Sequence, residues 1–318
     1  MKSIQEMFFL SNYLTANEVD GYLYWLSPTF SVDTMIMNDN LSGGIDSWTL
    51  QNFVDVIRDC DAQGIGIMEY QSQETLIQKI LPVMVDEVAG ICYFDDAAFL
   101  DLLEFSEEMR ISEEPNDETM SDSELEAYTL EETMKYQNGQ RLLMCADYYG
   151  YEDYLLYTVP FGDEPHQTVG YPVIVGNNSG YIRNGNSMLA ITSTCTEVDA
   201  AWDFLKSVLD VSTDFVGMPI LTDALETYIR DSAENITEQD SNVWTYNGVE
   251  FPISIPTEES ITAFMTYLQS VDQLKWNNQT IVEMEYDVLQ DFYNGNATAA
   301  ETTQLLQERI GLYLKENS

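Results

Sequence analysis

Residues 281–318 read IVEMEYDVLQDFYNGNATAAETTQLLQERIGLYLKENS. The pattern predicts a helix ending near Tyr293, a turn at Asn294-Gly295, and a second helix opened by Thr298–Glu301. Glycine after a helix accepts the left-handed backbone that ends it, and Thr-x-x-Glu can return two hydrogen bonds to the first turn of the next. Leu305, Leu306, Ile310 and Leu312 are expected to carry the apolar face of that second helix.

Outward from this pair, helical and extended patterns alternate. Residues 23–37 (LYWLSPTFSVDTMIM) are β-prone and broken at Pro28, which predicts two short strands. Ser47 is the expected cap of a helix running to Cys60, with Leu50, Phe53, Val54 and Ile57 at helical spacing. Leu76, Ile77, Ile80 and Leu81 mark another helix, and Phe99, Leu102, Leu103 and Phe105 a third. Residues 112–126 form an acidic, turn-rich loop. A helix over 129–139 leads to a short buried strand at 141–146. A polar turn at 176–180, a strand at 188–192 and a helix at 197–209 follow, the helix presenting Val198, Ala201, Trp202, Leu205 and Val208. This order predicts an α/β fold with largely parallel sheets and, at 318 residues, two lobes or domains.

Composition narrows the partners. Lys+Arg number 12 against 55 Asp+Glu, a formal net charge of −43. Nucleic acid and an anionic membrane surface both require a basic footprint, so neither is expected as a partner. A solvated acidic surface accounts for the charge; calcium binding is the sharper alternative, but no D-x-[DN]-x-[DN]-G loop supports it. No stretch reaches the roughly 20 apolar residues of a membrane span. The cysteines, Cys60, Cys92, Cys145 and Cys195, form no C-x-x-C pair and read as buried free thiols. His166 is the single histidine, in a polar loop, and no G-x-S-x-G elbow accompanies it. No metal or cofactor is expected.

The helix pair at 281–318 resembles the C-terminus of extracytoplasmic solute-binding proteins of bacterial ABC importers, above all the carbohydrate-binding, maltose-binding-protein-like type. Further segments resemble that family in the same order. Val19-Asp20-Gly21-Tyr22-Leu23-Tyr24 followed by Pro28 is similar to its "DGKLYGLP" strand, and Trp48-Thr49-Leu50 to its "GWTLEEL" helix start. Asn138–Met144 is similar to "sGkaaM", Ser187–Thr192 to "sgLAIs", and Ala200–Leu205 to "AWEFLKFL". In such proteins a sizeable segment precedes the first of these, whereas 19 residues precede Asp20 here. Residues 1–21 carry neither a signal peptide nor a lipidation cysteine. The resemblance therefore implies a lobe one incomplete at its N-terminus: residues 1–34 and 186–212 its remnant, 35–185 and 213–318 lobe two.

What the resemblance implies is a two-lobed periplasmic-binding-protein-like (type II) α/β fold with hinge crossovers, binding a carbohydrate in an interlobe cleft. It further implies an extracytoplasmic monomer of a lipoprotein family, partnered by the membrane permease subunits of an importer. Sugars ask for aromatic rings against their C–H faces and for carboxylates or amides at their hydroxyls. The run at 147–154 offers both at the expected carboxyl end of a strand, where α/β sheets place ligands. Tyr148, Tyr149 and Tyr151 are the candidates for stacking and Asp147 for hydroxyls; a tyrosine-rich cap packed on the core is the competing reading. Trp25 and Phe30 flank the first crossover, with core packing the favoured reading of both. Asn184 and Asn186 precede the second, where Asn184-Gly185-Asn186 reads also as a turn. Trp276, with Asn277, precedes the penultimate helix; Trp48 and Trp202 are assigned to the core. An enzyme using paired carboxylates on glycosides is a rival, although 55 acidic residues supply such pairs by chance. A remnant or interaction module without a ligand is the other.

Overall fold

The structure is a computed structural model describing residues 9–43, 48–112, 119–174, 176, 178–210, 215–238, 243–275 and 278–317. Its elements in chain order are α1 (Ser11–Asn17), β1 (Thr29–Asn38), α2 (Leu50–Gln63), α3 (Gln73–Ile80), β2 (Val85–Asp86), β3 (Ile91–Cys92), α4 (Ala97–Glu108), α5 (Asp122–Gln137), β4 (Leu143–Tyr148) and α6 (Tyr151–Leu156). There follow β5 (His166–Thr168), β6 (Tyr181–Asn184), α7 (Val198–Asp210), β7 (Met218–Pro219), α8 (Thr222–Glu238), β8 (Val243–Tyr246), β9 (Val249–Pro252), α9 (Glu258–Ser270), β10 (Gln273–Leu274), α10 (Gln279–Tyr293) and α11 (Ala299–Asn317). The fold is α/β. No described helix is long and apolar enough to cross a membrane.

The chain divides into two compact units. The first comprises Met1–Met35, Cys145–Pro160 and Ser179–Leu274, the second Ile36–Met144, Phe161–Asn178 and Lys275–Ser318. The division read from sequence differs: it assigns 145–160, 179–185 and 213–274 with the second set, whereas they cluster with the first. Both β1 and β4 begin in one unit and end in the other.

In the first unit, Phe30–Asp33 of β1 pair antiparallel with β6, and Thr29-Phe30 with β7. β10 runs parallel to β6. Helices α6, α8 and α9 pack together around Tyr148, Tyr151, Ile229 and Phe264, all buried. In the second unit, Ile36–Asn38 pair antiparallel with β5. Helices α2, α3 and α11 pack on α4 over Phe53, Ile57, Leu76, Phe99, Leu102, Leu306 and Ile310. Three of these four strand pairings are antiparallel, so the expected largely parallel sheet is corrected.

Pro28 lies just before β1, not within a pair of strands; the ten residues that follow form one strand, buried throughout. A proline without an N–H fits ahead of a strand better than inside one. Residues 188–192 make a single bridge, Leu189 to Leu26, instead of a strand. The expected cap Ser47 lies outside the described residues; Thr49 caps α2, its hydroxyl accepting from the Asn52 amide at 3.2 Å. α10 and α11 match the helix pair read at 281–318. Gly295 takes φ +69° after α10, and the Thr298 hydroxyl accepts the Glu301 amide at 3.3 Å while the Glu301 carboxylate accepts the Thr298 amide at 2.9 Å. Within α11 the buried face is Leu306, Ile310 and Leu314; Leu305 and Leu312 are exposed. His166 is half-buried at the start of β5, its ring stacked 4.8 Å from Phe161. The four cysteines form no disulfide among the described residues; Cys60 and Cys92 are buried, Cys145 and Cys195 half-buried.

Candidate functional site

Successive residues of a strand face opposite sides. β4 shows that alternation at its end: Ala146 and Tyr148 are buried, Asp147 between them is not. α6 then starts after Gly150. The Asp153 carboxylate reaches back to accept the backbone amide of Tyr149 at 2.8 Å, with the Gly150 amide close by, closing the turn. Burial pushes that carboxyl up; the two amides hold it down, and Glu152 and Asp147 push it further up. A Cβ on Gly150 would sit 3.0 Å from the Tyr228 hydroxyl, so α8 closes tightly over this turn.

This geometry separates the tyrosines. Tyr148 has 0% exposure and is ringed edge-on by Tyr154, Tyr157, Phe264 and Tyr267 at 5.7–6.1 Å. Tyr151 is equally buried, its hydroxyl 2.7 Å from Ser260 Oγ and its ring beside Tyr154 and Phe264. Neither offers a free ring face, which corrects both as stacking residues. Tyr149 remains 41% exposed. Beside it, Arg183 Nη1 on β6 donates to Asp147 Oδ1 at 3.0 Å, and both side chains keep about 40% of their surface. Burial draws the Arg183 guanidinium down, but Asp147, the Tyr149 phenol and Asp33 hold it above its usual range. The surface thus combines one ring face, one acceptor and one fixed donor.

The other expected residues are used differently. Phe30 is buried, 5.8 Å from Tyr13. Asn184 is consumed inside the first unit: its Oδ1 accepts the buried Tyr13 hydroxyl at 2.6 Å and its Nδ2 donates to Asn17 at 2.8 Å. Burial pushes the Tyr13 phenol up. Asn186 is exposed, and a Cβ on neighbouring Gly185 would meet Thr29 Oγ1 at 2.5 Å. Trp25 is half-buried, tilted 6.3 Å from Tyr24. Trp276 lies outside the described residues.

A second cluster, in the second unit, escaped the sequence reading. The Leu142 and Leu143 amides donate to the carbonyls of Gly66 and Ile67 at 3.0 and 2.8 Å, so this segment runs beside the start of β4. Glu69 and Tyr70 follow immediately. The Tyr70 ring lies 6.4 Å from that of Tyr128 on α5, their planes within 8° of parallel. Both phenols stand close enough to the half-buried Glu69 carboxyl to act on its protonation. Burial pushes that carboxyl up; the phenols and Arg141 hold it down and Glu132 raises it. Behind it, Arg141 forks onto Glu132 with Nε and Nη2 each at 2.9 Å from a carboxylate oxygen, both residues buried. Gly66 makes room, since a Cβ there would lie 1.8 Å from Arg141 Nη1. The signal available in sequence was an acidic-aromatic pair, Glu69-Tyr70, closing the apolar run Ile65–Met68.

Neither a scan of protein-family models nor a search of curated proteins returns a match. Solved structures do align. The sugar-binding protein MalE from Xanthomonas citri is 16% identical over 99% of this chain and 76% of its own, with a TM-score of 0.47. A cyclic α-maltosyl-1,6-maltose binding protein from Arthrobacter globiformis is 13% identical over 98% and 80%, TM-score 0.46. A de novo designed cysteine esterase is 13% identical over 99% and 78%, TM-score 0.53. At such identities the likeness is one of fold alone.

Proposed function

We propose that this chain binds a sugar or oligosaccharide without transforming it, outside the cytoplasmic membrane, and hands it to the membrane permease subunits of an ABC importer. The observation that carries the reading is the Glu69–Tyr70–Tyr128 cluster. It sets two parallel rings beside a half-buried carboxyl, next to the buried Arg141–Glu132 pair. Such a site suits a neutral ligand with apolar C–H faces and many hydroxyls. In the first unit, Tyr149, Asp147 and Arg183 offer the same chemistry at the end of β4. The five ordered segments and the α10–α11 pair supply the importer role by resemblance.

The test is thermal unfolding with and without a panel of mono- and oligosaccharides. A ligand at about 100 times its Kd stabilises the native state by roughly 2.7 kcal/mol. One sugar class is expected to raise the transition, and Tyr70→Ala to reduce that rise. A cooperative transition that no sugar moves overturns the reading. Release of chromophore from aryl glycosides would overturn its non-catalytic part.

A further inference from the structure

Before β1 the chain makes a two-residue turn. Asp20 and Gly21 both take positive φ, +54° and +77°, and Val19 and Tyr22 exchange two backbone hydrogen bonds at 2.9 and 3.0 Å across it. Positive φ at both central positions is the hairpin geometry that Asp-Gly favours. The turn holds the segment behind it in a set direction. Tyr22 and Tyr24 stand two residues apart with ring centroids at 6.5 Å, and Tyr24 leans on Trp25 at 6.3 Å. Tyr22 is 67% exposed and Tyr24 55%. Among the described residues no hydrogen-bond partner takes either phenol hydroxyl.

A row of exposed rings asks for an occupant, and its size limits the choice. Tyrosine side chains bury about 150–250 Å² each, so at 67% and 55% exposure these two offer on the order of 250 Å². A stable protein partner needs about 800 Å² on each side. The row is far too small for that and large enough for a few linked rings of a small molecule. Charge narrows it further: Glu18 and Asp20 flank the row, and no lysine or arginine stands between Lys2 and Arg58. A phosphate- or carboxylate-bearing ligand would find no counter-charge along this stretch. Rings with free hydroxyls suit a neutral ligand that has both C–H faces and hydroxyls.

We infer that Tyr22 and Tyr24, buttressed by Trp25, form an accessory stacking strip for a neutral oligosaccharide, separate in residues from the Asp147–Tyr149 and Glu69–Tyr70 surfaces. The strip extends the reading of the chain as a sugar-binding protein but does not depend on it: a glycan can lie along these rings whether or not the other surfaces bind.

The test is titration of the full chain with glucose, maltohexaose, cellohexaose and chitohexaose, followed by calorimetry and by saturation-transfer NMR. Wild type is expected to bind at least one hexasaccharide. The Tyr22→Ala/Tyr24→Ala variant, altered only at exposed positions, is expected to bind that hexasaccharide at least tenfold more weakly, with an unchanged unfolding temperature. Tyr22→Phe/Tyr24→Phe keeps the ring faces and is expected to retain most of the affinity. A hexasaccharide affinity that is unchanged in the alanine variant overturns the strip, as does wild type that binds no hexasaccharide. Hexasaccharide binding that is lost in this variant but kept in Tyr70→Ala and Tyr149→Ala supports the strip and counts against the other two surfaces.

Discussion

At the scale of single residues, adjacent tyrosines have opposite duties. Tyr148→Ala removes a ring enclosed by four others and is expected to destabilise the protein by about 3–5 kcal/mol, the range for a large buried aromatic. Tyr149→Ala is expected to shift stability by no more than about 0.5 kcal/mol, as exposed substitutions do, while weakening sugar binding. Urea unfolding and sugar titration of the two variants check both halves. The sequence made the tyrosine-rich run visible as a candidate but left its members equivalent. What separates them is the phase of β4: buried Ala146 places Tyr148 inward and its neighbours Asp147 and Tyr149 outward. That alternation was readable once the strand was known to run to Tyr148. The Glu69 cluster was harder to foresee, because Tyr128 and Arg141 come from distant stretches and meet only through packing. Glu285, buried in α10, makes a pH prediction. Burial, with Glu87 nearby, pushes its carboxyl up to about 8. The unfolded chain releases this proton near pH 4.5, so the native state holds it longer, and stability falls as pH rises from about 4.5 to 8. Glu285→Gln is expected to flatten that fall, which on this linkage is on the order of a few kcal/mol, in urea unfolding at pH 5 and pH 8.

At the scale of elements, many helices were legible, α1, α8 and α9 were not read, and the strand pairings were not legible. Spacing of apolar residues located α2, α3, α4, α7, α10 and α11, because a helix satisfies its backbone within its own sequence. Strand partners come from elsewhere in the chain, so β1 read as two pieces and its antiparallel neighbours β5, β6 and β7 went unseen. Capping offers a direct check. Thr49→Ala removes the acceptor for the Asn52 amide and is expected to cost about 1 kcal/mol, whereas Thr49→Ser keeps it. Thermal unfolding of the pair distinguishes a cap from general packing, since serine also loses the methyl group.

At the scale of the whole molecule, the net charge of −43 acts on every surface at once. Like charges repel most in the compact state, and salt shortens their reach to about 8 Å at 0.15 M. The unfolding temperature is therefore expected to rise as sodium chloride increases from 0.05 to 0.5 M. A fall would show that surface ion pairs such as Arg110–Asp61 outweigh the repulsion. The packing of α11 on α4 has a consequence at the ribosome. Helices α2, α3 and α4 are made first, and α11, which completes the cover of α4, follows about 190 residues later. At about 5–20 residues per second, α4 waits roughly ten to forty seconds for that helix during synthesis. Over that interval α4 is covered by α2 and α3 alone, and the side on which α11 later packs stays open in the nascent chain.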